Sequence, residues 1–217
     1  YHEGYEQVLY ELQASFDALF YDHPEIFWFR STKVTVKFGS SVLVNKTTEE
    51  GTVFVSSIKI SSNEAFPGAY DLKDEFFAGV EAAVHEIRSS SDFDESGFVT
   101  DNELLQGIHD YICSRCTYDN ASLNSYLTTQ SSAYAHIFTP AGVFTDSVSS
   151  GIVCEGYGRA FKILCDRLSI PCVMIAGKAS ASASIGHLWN AVELGGIWYL
   201  VDVTWDDEDN GWSYTWF

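Results

Sequence analysis

The sequence predicts an α+β fold. Helical apolar spacing dominates its first half, a further amphipathic helix opens at Cys154, and that helix feeds short alternating strands joined by a glycine turn. At 217 residues, with 46% apolar and 15% aromatic content, the chain can bury a substantial core.

Each element follows from its pattern. Tyr5, Val8, Leu9, Leu12, Phe16, Leu19 and Phe20 place one apolar face on a helix over 5–20, and Pro24 ends it by disfavouring helical geometry at His23. Segments 33–39, 41–45 and 52–60 are short, rich in Val, Ile, Phe and Thr, and broken by Gly or polar turns, which predicts a small antiparallel sheet. Leu72, Phe76, Val80, Val84 and Ile87 mark a helix over 71–88; Leu104, Leu105, Ile108 and Ile112 mark another over 101–115. The stretch 117–150 is polar and reads as irregular, a loop length that is uncommon unless it serves a site. A helix over 154–168 buries Tyr157, Phe161, Leu164 and Leu168, and Ser169-Ile170-Pro171 stops it. Strands over 172–177, 187–194 and 197–203 follow, the last two joined at Gly195-Gly196. The expected organisation is an accessory helix and β-hairpin region over 1–70 and one domain over 71–217.

Charge narrows the partners. Lys plus Arg number 12 against 30 Asp plus Glu, a net charge of −18 that repels phosphate backbones and anionic lipid, so neither nucleic acid nor a membrane surface is an expected partner. No apolar run approaches the roughly 20 residues of a membrane span, so no membrane insertion is expected. The chain begins at Tyr1 without a charged-then-apolar leader, as a processed or trimmed protein does. The five cysteines fit two arrangements. All are free in a reducing compartment; or Cys113 pairs with Cys116 and Cys165 with Cys172 in an oxidising one, leaving Cys154 as the odd reactive thiol.

Cys154, His187 and Asp202 are the candidate catalytic residues. A thiol at a helix N-terminus meets unpaired N–H groups and the positive end of the helix dipole, which favour the thiolate nucleophile. A two-residue loop at Gly195-Gly196 pairs Leu194 with Ile197 and projects His187, Trp189, Asp202 and Thr204 from one face. His187 and Asp202 are then diagonal neighbours with Cα atoms about 7–8 Å apart, near enough for a carboxylate to orient an imidazole. A three-residue loop would reverse the parity and separate them. Read singly, Cys154 is a packed thiol and His187 a satisfied core histidine; together the three are a linked nucleophile, base and orienter.

Three blocks carry a family resemblance: Val153-Cys154-Glu155-Gly156-Tyr157-Gly158-Arg159-Ala160-Phe161, then Gly186-His187-Leu188-Trp189-Asn190, then Val201-Asp202-Val203-Thr204-Trp205. They resemble bacterial transglutaminase-like domains, which share the papain-like cysteine-hydrolase core. Ile108-His109-Asp110-Tyr111-Ile112 and Thr117-Tyr118-Asp119 extend the likeness upstream, and residues 21–29 resemble the N-terminal extension of some surface-associated members. The resemblance implies a Cys154 nucleophile, a His187 base and acid, an Asp202 orienter and a thioester formed from an amide substrate. It also implies a nucleophile helix packed on an antiparallel sheet, a further strand or helix beyond Phe217, an extracellular or cell-surface setting, and no cofactor. The Cys154 N–H is one natural oxyanion donor; Tyr134 is a candidate for the second by position, and Trp189 and Trp205 are candidate cleft walls or core.

Two further patterns have competing readings. Residues 92–103 match calcium-loop spacing, with Asp92, Asp94, Ser96, Gly97 and Glu103 in place, while Thr100 and Glu103 equally form a helix capping box. His109, Cys113 and Cys116 share one helix face but lack a visible fourth zinc ligand, which favours core packing or a local disulfide, and no metal is expected. The expected function is a cysteine peptidase or amidase acting on a protein or peptide substrate. Transglutaminase-type acyl transfer, crosslinking or deamidating Gln side chains, is the alternative, and a non-catalytic binding module on the same fold is a third.

Overall fold

The apolar spacing at the start of the chain forms helix α1 (His2–Asp22), which stops just before Pro24. The structure is a computed structural model and describes residues 2–44, 51–90, 100–181, 183, 185–208 and 211–217. Strands β1 (Phe29–Val44) and β2 (Gly51–Glu64) then form one long antiparallel hairpin, with Phe29 opposite Glu64 and Val44 opposite Gly51. The break expected near Gly39 is a register shift between Phe38 and Val42, so two short strands are corrected to one irregular strand.

Helix α2 (Lys73–Ser90) follows a 3-10 turn and buries Phe76, Val80, Ala83 and Ile87. Helix α3 (Asp101–Arg115) begins at the Thr100–Glu103 capping box, with Thr100 N–H donating to Glu103 at 2.8 Å and Glu103 N–H donating to Thr100 at 3.3 Å. The stretch read as irregular is instead largely helical. It holds β3 (Thr117–Tyr118), α4 (Asn120–Thr129), a 3-10 segment Ser132–Phe138, α5 (Ala141–Phe144) and β4 (Gly151–Ile152), which pairs in parallel with β3.

Helix α6 (Cys154–Arg167) buries Tyr157, Phe161 and Leu164 against the three-stranded antiparallel sheet β5 (Cys172–Gly177), β6 (His187–Leu194) and β7 (Ile197–Val201). Asn190 Nδ2 donates to the Gly158 carbonyl at 3.0 Å and ties helix to sheet. Gly195 and Gly196 have φ of 59° and 84°, the left-handed pair of a two-residue turn, and Leu194 pairs with Ile197. The last strand is shorter than expected. It ends at Val201, and the chain turns into α7 (Val203–Asp206), then the short strands β8 (Asp207–Glu208) and β9 (Gly211–Trp212). The core joins α2, α3 and α6, and Phe27, Ala65 and Phe66 bring the β1–β2 hairpin base into it; the Phe27 and Phe76 rings lie 4.4 Å apart.

Candidate active site

Cys154 is the first residue of α6. Its N-cap, Val153, is extended and has no side-chain acceptor, so the first-turn N–H groups receive no side-chain cap. Those groups and the helix dipole place positive potential at the thiol. The turn is held from behind by Val153 N–H donating to the Ile137 carbonyl at 2.9 Å.

His187 opens β6 opposite Gly177, and its Nε2 lies 2.6 Å from Asp202 Oδ2. Cys154 lines the same cleft as this imidazole, and its thiol is close enough to act with Asp202 on the ring's protonation. With Nε2 committed to Asp202, Nδ1 is the nitrogen left for the thiol. Burial works against a charged imidazole here, but the Asp202 hydrogen bond and the negative charge of Asp202 and Cys154 outweigh it and raise His187 to about 9. Asp202 reaches His187 by a different route from the expected one. The β6–β7 ladder stops at Asn190 and Val201, so Asp202 is the N-cap of α7, accepting from Trp205 N–H at 3.3 Å through its other oxygen.

The remaining thiols differ. All five cysteines are free, and Cys154 is the one that is not buried. Burial pushes Cys113, Cys116 and Cys165 above the ordinary thiol range. Cys113 Sγ sits 4.0 Å from His109 Nε2 and Cys116 donates to the Ile112 carbonyl, while no three His, Cys, Asp or Glu among the described residues form a metal site. Residues 92–99 of the calcium-loop pattern lie outside the described residues, and Glu103 is engaged with Thr100.

The two tryptophans flank the imidazole. Trp205 stacks on His187 at 5.0 Å between ring centroids, and Trp189 at 5.8 Å. They wall a cavity of about 350 Å³ together with Lys178, Trp216 and Phe217. A separate cleft of about 370 Å³ opens at Cys154 and His187, lined by Phe20, Tyr21, Phe138 and Ile185. The Glu155–Arg159 ion pair, 2.8 Å across, also lines it. Tyr134 is half-buried in the Ser132–Phe138 segment and is not among the residues lining this cleft; Phe138, one turn on, is. Phe20 and Tyr21 carry no local signal of a role at a cysteine more than 130 residues away. The Glu155–Arg159 pair was readable from its i, i+4 spacing.

Kyphoscoliosis peptidase of Homo sapiens is 29% identical over 115 residues, which cover 49% of this chain and 16% of the human protein. The chain is similar to a peptidase. Kyphoscoliosis peptidase of Mus musculus is 28% identical over 115 residues, again 49% of this chain and 16% of the relative. The match thus spans a small part of these curated relatives. A solved TGase crystal structure superposes with a TM-score of 0.48 at 14% identity, covering 82% of this chain and 46% of that one. No family model matches the chain.

Proposed function

We propose that the protein is a thiol-dependent hydrolase of peptide or side-chain amides with a transglutaminase-like, papain-like core. The observation that carries this reading is one imidazole hydrogen-bonded to Asp202 that shares an open cleft with the Cys154 thiol at a helix start. Cys154 sulfur attacks the amide carbonyl carbon, and the oxyanion meets the uncapped first-turn N–H groups. The C–N bond breaks as His187 gives its proton to the leaving amine, which produces a thioester. Water then attacks the thioester, His187 takes its proton, and the acid leaves with the thiolate restored. Likeness to Kyphoscoliosis peptidase over 115 residues supports the peptidase assignment.

Acyl transfer is the second reading: the cleft at Cys154 is open, so an amine entering it would attack the thioester in place of water. Incubation with a peptide library, read by mass spectrometry beside incorporation of a fluorescent amine, tests both. Cleaved fragments that vanish in Cys154→Ala support hydrolysis, and amine incorporation with ammonia release supports transfer. A folded protein that does neither with any peptide overturns both.

A further inference from the structure

A second carboxylate–imidazole cluster lies behind the Asp202 turn, away from the cleft. His109 on α3 and Asp206 at the end of α7 are both fully buried. Asp206 Oδ1 accepts from Ser213 Oγ at 3.0 Å, Thr215 N–H at 2.8 Å and Trp216 N–H at 2.9 Å. Its Oδ2 accepts no hydrogen bond among the described residues and faces His109 Nε2 at 3.6 Å. The other ring nitrogen, Nδ1, is 2.9 Å from Asp110 Oδ1, which accepts from the Tyr214 hydroxyl at 2.7 Å. The His109 ring packs 4.7 Å from Tyr214.

These contacts converge on Asp202. Asp202 and Asp206 are the N-cap and last residue of one helical turn. Trp216, whose N–H is held by Asp206, accepts from Asp202 N–H at 2.9 Å through its carbonyl. Its ring also meets Trp205 edge-on at 4.8 Å, and Trp205 lies on His187. Both ends of the turn are therefore tied to the Asp206 carboxylate. At 3.6 Å the His109–Asp206 contact is longer than a hydrogen bond, so the buried ring acts on the carboxylate by packing against it. What this pair supplies is direction: it fixes where the turn sits.

We propose that His109 is a positioning residue that, by holding Asp206, aims the Asp202 carboxylate at His187. The proposal rests on the reading of Cys154, His187 and Asp202 as the reacting group. His109 touches none of the three and acts through Asp206 and residues 213–216.

The test is the iodoacetamide alkylation rate of Cys154 against pH, read by peptide mass spectrometry, which needs no substrate. It compares wild type with His109→Asn, Asp206→Asn and Asp110→Asn, with Ile108→Val as a core variant outside this chain of bonds and thermal melting recorded throughout. The expected result is about a tenfold loss of Cys154 reactivity at neutral pH in His109→Asn and Asp206→Asn, and a smaller loss in Asp110→Asn. Ile108→Val should melt lower yet alkylate as wild type. Folded variants with the wild-type rate and midpoint overturn the proposal and leave the His187–Asp202 reading standing. An ordinary thiol profile in wild type overturns that reading and this proposal with it. Where the buried variants do not fold, Asp110→Asn decides in the same way, because the Asp110 side chain is 38% exposed and its replacement spares the core.

Discussion

His187 Nε2 and Asp202 Oδ2 are 2.6 Å apart, yet the two residues are not paired in the sheet: His187 begins β6, and Asp202 caps the helix that follows β7. One Asp202 oxygen orients the imidazole while the other accepts from Trp205 N–H, so the carboxylate is held from both sides. Asp202→Asn keeps the cap acceptor but loses the charge and the control of tautomer. The expected loss in turnover is about 10³–10⁴-fold with the melting point nearly unchanged, measured by steady-state kinetics and thermal denaturation.

The raised value of His187 sets a pH dependence. Burial opposes its charged form, but Asp202 and Cys154 more than compensate and bring it to about 9. Because the folded value lies above the ordinary 6.5, protonated His187 contributes stability that is complete below 6.5 and is lost as pH rises through about 9. In the proposed mechanism the same deprotonation removes the acid that protonates the leaving amine. The pH profile of kcat/KM should therefore fall on its alkaline side near 9, and Asp202→Asn should bring that fall to lower pH. A profile flat through pH 10 in the wild-type protein counts against imidazolium as the acid.

The thiols should separate cleanly by reactivity. Limiting iodoacetamide at neutral pH is expected to label Cys154 first, with Cys113, Cys116 and Cys165 modified only on unfolding, since burial holds those three thiols protonated. Cys154→Ala should abolish turnover, whereas Cys165→Ala should lower the melting point and leave kcat within about twofold. Early labelling at Cys165 would contradict this packing.

Much of the site was legible because its parts are local. The Cys154 helix start follows from the break at Val153 and the spacing of Tyr157, Phe161 and Leu164, and the Gly195-Gly196 dipeptide settles the hairpin register that the parity reasoning required. The end of β7 was not legible. Val203 and Thr204 continue the β-branched pattern, and only the Asp202 cap and the buried Asp206 contacts turn the chain. Helix α4 was hidden for a related reason: none of its residues is buried, its Ser, Thr and Asn side chains favour turns, and it depends on the Asp119 cap bonding Ser122 N–H at 2.8 Å. The His109–Asp206 pair spans elements almost 100 residues apart and leaves no spacing to read.

The seat of Cys154 gives a last test. A Cβ at Gly156 would stand 2.9 Å from Ile152 Cβ and from the Thr139 carbonyl oxygen, and 3.1 Å from the Ile137 carbonyl oxygen. Two of these neighbours are backbone in the segment that anchors Val153, so relief requires moving the helix start itself. At Gly158 the nearest neighbour, 2.1 Å away, is Leu188 Cδ2, the end of a side chain that can change rotamer. Alanine in mid-helix gains up to about 1 kcal/mol over glycine, which partly offsets either clash. Gly156→Ala should still destabilise the fold by about 1–2 kcal/mol and slow Cys154 alkylation, because overpacking against backbone costs about 1–3 kcal/mol. Gly158→Ala should cost less and leave alkylation unchanged. Thermal denaturation of both variants beside the alkylation rate separates the two sites, and equal melting points would show that the Cys154 turn yields more readily than its contacts imply.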